Sequence, residues 1–213
     1  MNKKVVITVI SCVAFIALAM GLILNRMLSP AVMTNEQLST NGLFVFDEPR
    51  GINDFSLLDQ NSNAVDLGLL QDQWTLIFFG YTYCPDICPL TMATLNQFSG
   101  LLEAEGEYAE DTQVIMVSVD PRRDTVEKLR DYVGYFNDDY LGLTGEYIDI
   151  FTFSSQLNIA FAYSPGEGED YLVSHSGEIA LINPNGDFHG FFKVPHNPEL
   201  MAENFSVVRA AWE

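Results

Sequence analysis

Cysteine, histidine and positive charge are all scarce in this chain, and each scarcity narrows what it can do. Three cysteines stand among 213 residues. One, Cys12, lies inside an apolar run, which leaves Cys84 and Cys88 as the only pair outside it. Three histidines, His175, His189 and His196, are all that could bring an imidazole to a metal. Ten basic residues face 29 acidic ones, for a formal net charge of −19. Such a surface repels nucleic acid, which is therefore not an expected partner, and attracts cations or basic protein faces. No internal repeat is present, so one ordinary domain is expected.

Charge is missing altogether from Val5 to Leu24, twenty residues that as a helix would span roughly 30 Å, the thickness of a bilayer's hydrocarbon. Lys3 and Lys4 precede the run and Arg26 is the nearest base after it, so the positive-inside bias puts the N-terminus in the cytoplasm. Residues 1–26 are thus expected to be a single-pass anchor in the inner (cytoplasmic) membrane, with the bulk of the chain facing the periplasm or the outside. Two other fates compete. Ala17 and Ala19 resemble a signal-peptide cleavage site, but the apolar run continues past them. The "VISC" at Val9 to Cys12 loosely resembles a lipoprotein site, but cutting there would leave a long apolar stretch on the mature end. Residues 27–42 are polar and read as a linker, and 43–213 as one domain; beyond Arg26 the chain carries seven basic residues and all 29 acidic ones.

Within that domain "LFVF", "DFSLLD" and "AVDL" read as short strands, with Gln60 to Asn63 turning a hairpin. The nearly all-apolar "WTLIFFG", Trp74 to Gly80, reads as a central strand covered on both faces. A helix follows the cysteines and stops near Gly106. "QVIMVSV" is a second buried strand, and Asp124 with Glu127 has capping-box spacing for a helix reaching about Phe136. A helix at Tyr147 to Leu157, two strands in "EIALINPNGDFHGFFKV" and a helix from Pro198 to about Ala211 complete the pattern. This order predicts an α/β fold, a thioredoxin-like sandwich with an N-terminal hairpin extension, preceded by one transmembrane helix.

Cys84 and Cys88, in "FFGYTYCPDICPLTM", then fall between a buried strand and a helix N-terminus, where free N–H groups favour thiolate. Pro89 suits a first helical turn, which makes Cys88 the expected N-cap and leaves both sulfurs exposed enough to react. Three chemistries remain open. A structural disulfide across three residues would constrain the unfolded chain little. A redox couple is possible, although thioredoxins separate their cysteines by two residues and place a proline where Glu178 stands. Two thiolates also select a soft ion such as Cu(I).

A third metal ligand must be one of the histidines. His189 reads as a half-exposed strand residue and His196 as part of a solvated cap. His175, just before "EIALI", lies on the loop that this topology carries towards the cysteines, and two thiolates with one imidazole form a coherent Cu(I) set.

"FFGYTYCPDICPLTM", "SVDPRRDT" and "YLVSHSGEIALINPNGDF", in this order behind one N-terminal anchor, resemble the SCO/SenC family of copper chaperones. The likeness runs from about Leu43 to the last helix. It implies a thioredoxin-like fold that binds copper through Cys84, Cys88 and His175. It also implies a role in assembling the dinuclear copper centre of cytochrome c oxidase subunit II, or in serving another cuproprotein. Tyr83 departs from the family, which often has histidine there. Asp86 matches and could bias the site or merely favour the turn. Asp120 and Asp124 match too, although strand-end and cap roles explain them. Met92 is expected to pack in the core. The alternative is a thiol-disulfide oxidoreductase that reduces a cuproprotein's ligand cysteines through the redox-active pair Cys84 and Cys88. A peroxiredoxin is disfavoured by the placement of threonine and proline around Cys84.

Overall fold

The computed structural model describes residues 3–28, 33–106, 111–165 and 171–212. They divide into two compact units, Thr34–Ser206 and Met1–Met33 with Val207–Glu213. The smaller unit holds helix α1, Lys3–Leu28. Its Lys3–Leu24 portion is long and apolar enough to cross a membrane, and none of it is buried.

The larger unit opens with helix α2, Asn35–Thr40, inside the stretch expected to be an open linker. A capping box starts it: Thr34 Oγ1 accepts from Gln37 N–H, and the Gln37 side chain accepts from Thr34 N–H. Asn35 then bonds Asp47, and Lys193 donates to Ser39. This half of the linker is therefore fastened to the domain. Its residues 29–32 lie outside the described residues.

The strands are β1 Leu43–Arg50, β2 Leu57–Asp59, β3 Ala64–Val65, β4 Trp74–Gly80, β5 Thr112–Ser118, β6 Leu141–Thr144, β7 Phe161–Tyr163, β8 Val173–His175, β9 Ile179–Ile182 and β10 Phe188–Phe192. The remaining helices are α3 Ile87–Glu105, α4 Val126–Phe136, α5 Tyr147–Gln156 and α6 Pro198–Trp212. Eight strands form one sheet in the order β1-β10-β9-β4-β5-β6-β2-β3, and β7 and β8 make a separate ribbon. The expected hairpin exists, with Leu57 opposite Val65, and it extends the sheet beyond β6. β1 instead crosses to the far edge and pairs with β10.

Every residue of β4 is buried, as its nearly all-apolar run requires. β4 lies parallel to β5 and antiparallel to β9. Alternation sends neighbouring side chains to opposite faces. On one face Trp74 meets Phe205 of α6 at 5.7 Å, and Phe205 meets Phe98 of α3 at 5.6 Å between ring centroids. From the other, Phe79 meets Phe153 of α5 at 5.8 Å. Helices thus cover both faces, as a thioredoxin-like sandwich demands.

Two helix starts differ from expectation. The N-cap of α4 is Thr125, whose side chain accepts from Lys128 N–H, because Asp124 is engaged elsewhere. The N-cap of α3 is Asp86, so Cys88 is already inside the helix.

Candidate metal centre

The chain leaves β4 at Gly80 and turns through Tyr81 to Asp86 before α3 begins. Cys84 N–H closes the turn on the Tyr81 carbonyl at 3.2 Å. A side chain at residue 80 would have its Cβ 3.1 Å from Cys88 Sγ and 2.7 Å from a Phe78 ring carbon. Only glycine lets that sulfur settle against the end of the strand.

The two cysteines are not equivalent. Cys84 is half-exposed, whereas Cys88 is wholly buried, which corrects the expectation that both sulfurs face solvent. The Cys88 N–H points at Cys84 Sγ from 3.4 Å, so the outer sulfur takes one of the free donors of the α3 N-terminus. Burial, followed by the hydrogen bond with Cys84, pushes the Cys88 thiol far above its ordinary range.

His175 ends β8, and its imidazole is packed edge-on against Phe78 and Tyr81, with centroids 5.8 and 6.1 Å away. Its Nδ1 lies 2.9 Å from the Ser176 carbonyl. A carbonyl only accepts, so Nδ1 carries the ring proton and Nε2 keeps a free lone pair. That lone pair faces Cys88 Sγ at 3.3 Å. Burial lowers the His175 pKa, against the Ser176 hydrogen bond, so the imidazole is held in the neutral form that a metal requires.

The donor atoms of Cys84, Cys88 and His175 all lie within 4.8 Å of one another, and no other group of three such residues is found among the described residues. With metal–sulfur and metal–nitrogen distances of about 2.3 and 2.0 Å, donors around one ion stand roughly 4 Å apart. Two sulfurs and one prepared imidazole nitrogen therefore fit a soft ion such as Cu(I).

The surrounding acids have defined duties. Asp124 is almost fully buried and accepts from Thr82 N–H at 3.0 Å, Thr82 Oγ1 at 2.6 Å and Ser118 Oγ at 2.6 Å. Burial raises its pKa while these bonds oppose the rise. Asp120 pairs with Arg123 and accepts from Tyr171 OH. The Arg123 guanidinium lies 3.7 Å from the Tyr171 ring centroid and 4.9 Å from that of Tyr83. Tyr83 is half-exposed and accepts from Lys128 Nζ at 2.7 Å. Asp86 is exposed and makes no side-chain cap bond. Met92 is in the core as expected.

The other histidines stand apart from the three donors. His189 meets Trp74 edge-on at 5.1 Å. His196 is half-buried rather than part of a solvated cap: its Nε2 lies 2.9 Å from the Gly177 carbonyl, and burial lowers its pKa. The positioning parts played by Gly80, Tyr81 and Asp124 carried no local signal, because each depends on a partner distant in sequence.

Residues 47–209 match the family model described as SCO1/SenC. The chain is 34% identical over 167 residues to a Stutzerimonas stutzeri protein named for copper binding, covering 78% of this chain and 81% of that one. Among solved structures, Arabidopsis thaliana ScoI with copper bound is 30% identical with a TM-score of 0.69, covering 74% of this chain and 98% of that one. Bradyrhizobium japonicum ScoI with copper bound is 32% identical with a TM-score of 0.64, covering 74% and 97%.

Proposed function

The chain belongs to the SCO1/SenC family, and from that premise we propose that it is a membrane-anchored copper chaperone with Cys84, Cys88 and His175 as its ligands. Copper is its cargo. The recipient in this reading is subunit II of cytochrome c oxidase or another cuproprotein. The observation that carries the proposal is the convergence of the three donors within 4.8 Å, with the lone pair of His175 turned inward by the Ser176 carbonyl. Two relatives solved with copper bound support it.

In the same reading residues 1–26 anchor the protein in the inner membrane, 27–42 link, and 43–213 form the copper domain on the periplasmic or outer side. The apolar span behind Lys3 and Lys4 supports this orientation. A reporter active only outside the cytoplasm, fused after Glu213, is expected to be active. Release of a soluble protein beginning near Met20 would show a cleaved signal instead.

A second reading, thiol-disulfide oxidoreductase, draws on the asymmetry of the pair: a half-exposed Cys84 at a helix start and a buried Cys88 behind it. His175→Ala separates the two. As a chaperone, the variant loses copper affinity and delivery while Cys84 and Cys88 still cycle between dithiol and disulfide. The visible spectrum of its Cu(II) form changes more than its Cu(I) occupancy, because two thiolates remain. Unchanged affinity and spectra in a folded variant would remove His175 from the ligand set and favour the reductase.

A further inference from the structure

Building on the reading that His175 carries copper, we propose that His196 is a positioning residue for the centre, holding the His175 loop through the Gly177 carbonyl. The imidazole of His175 is aimed by a bond to the carbonyl of the next residue, Ser176. Its orientation is therefore only as fixed as the peptide between Ser176 and Gly177. The near side of that peptide is secured to the β7–β8 ribbon, where Ser176 N–H donates to the Ala160 carbonyl at 2.9 Å and Ser176 Oγ accepts from Ala160 N–H at 3.3 Å. The far side rests on His196, whose Nε2–H donates to the Gly177 carbonyl at 2.9 Å. Two imidazoles thus fix two successive carbonyls.

Residue 177 is where such a restraint matters. Glycine has the widest choice of backbone conformations, yet here it must be small, since a Cβ would come within 2.9 Å of Val194 Cγ1 and 3.7 Å of Ile87 Cδ1. Ile87 immediately precedes Cys88. The segment around Val194 and His196 is therefore packed onto the loop that carries the imidazole, beside the helix that carries the sulfur. His196 is itself rooted, because Asn197 starts α6 with its side chain accepting from Leu200 N–H at 2.8 Å and its carbonyl accepting from Met201 N–H at 2.9 Å. The ring is half-buried, and the bond from its Nε2 to the Gly177 carbonyl ties it to the loop that carries His175.

Partners that orient a ligating histidine typically change metal affinity by about 10–100-fold when removed. His196 acts at one remove, through a carbonyl, and about tenfold is expected. The test uses the full chain in detergent. His196→Phe and His196→Leu keep apolar bulk without the donor, and His196→Gln restores an N–H at similar reach. In the copper-free, reduced protein, ring-nitrogen NMR shifts of His175 should report a single tautomer, protonated on Nδ1, in the parent and in His196→Gln, but a mixture in the other two. With Cu(I) added, the Phe and Leu variants should bind about tenfold more weakly, and their Cu(II) spectra should shift, while His196→Gln stays near the parent. Parent-like nitrogen shifts and copper spectra in a folded Phe or Leu variant would overturn the proposal, as would a Gln variant as impaired as they are. His175→Ala, measured alongside, distinguishes the failures. If it too binds copper like the parent, the ligand reading falls and this inference with it; if it is disabled while the His196 variants are intact, only the role of His196 falls.

Discussion

The carboxylate of Asp124 takes both the backbone N–H and the hydroxyl of Thr82, at 3.0 and 2.6 Å, across 42 residues of sequence. Thr82 lies two residues before Cys84, so this clamp ties the cysteine turn to the approach of α4, and Ser118 Oγ at the end of β5 completes it at 2.6 Å.

Removing the clamp should loosen the cysteine turn. Asp124→Ala leaves three donors, one on buried Ser118 and two on half-buried Thr82, without their acceptor, and is expected to cost about 2–4 kcal/mol of stability, with weaker copper binding. Asp124→Asn should cost much less. Its amide oxygen can accept from Thr82 N–H and Ser118 Oγ, while its NH2 donates to Thr82 Oγ1. Denaturant unfolding of the two variants checks the order, and equal losses would mean that charge, not acceptor geometry, holds the turn.

Gly80 gives a second route to the same sulfur. A methyl group there meets Phe78 at 2.7 Å and Cys88 Sγ at 3.1 Å, so Gly80→Ala must push one of them aside. Overpacking of this kind costs about 1–3 kcal/mol. Because the displaced atom is a donor of the proposed centre, copper affinity should fall as well, measured by competition with a Cu(I) chelator. A stable variant with parental affinity would show that the sulfur is free to move.

Much of this was legible in the chain, and the exceptions share a cause. The nearly all-apolar run of Trp74 to Gly80 permitted little but a central strand, and the alternation of such strands with helices placed His175 near the cysteines. Misplaced features were those decided by partners far away in sequence. Asp124 and Glu127 have capping-box spacing, yet Thr82 and Ser118 claim Asp124 and leave the cap to Thr125. The motif around Pro89 made Cys88 an N-cap, but its sulfur is drawn under Gly80 and towards His175, and α3 begins earlier. Leu141–Thr144 and the β7–β8 ribbon are three or four residues long, too short for periodicity to declare them. His196 looked solvated because nothing near it in sequence reveals the Gly177 carbonyl that it holds.

Unequal burial of the two sulfurs should appear as unequal reactivity. In a Cys12→Ala background, reduced and copper-free, iodoacetamide is expected to modify Cys84 at least about tenfold faster than Cys88, since thiolate access governs the rate. Cys84 is half-exposed, whereas Cys88 is sealed and its thiol is pushed far up by burial. Peptide mass spectrometry along a time course resolves the two sites. Comparable rates would mean that the turn opens readily enough to expose both.

Acid should weaken the copper-free fold before the ordinary carboxylates titrate. His175, His189 and His196 all have pKa values lowered by burial below the ordinary 6.5. Between 6.5 and each folded value the unfolded chain therefore holds more protons than the native one, and stability falls as pH falls. The contribution is complete above 6.5, declines through that window and levels off below the folded values. Asp124, with a pKa raised above 3.8 by burial, acts with the opposite sign, adding stability as pH falls towards 3.8. The comparison that isolates a histidine is thus the difference between parent and His189→Gln at each pH, in which the Asp124 term cancels. His189 is the suitable probe because it stands apart from the three clustered donors, against Trp74. Thermal midpoints taken from pH 7 down to pH 5 should fall less steeply in His189→Gln than in the parent. Parallel curves would mean that His189 protonates in the native state as easily as in the unfolded chain, and that its burial carries no penalty for charge.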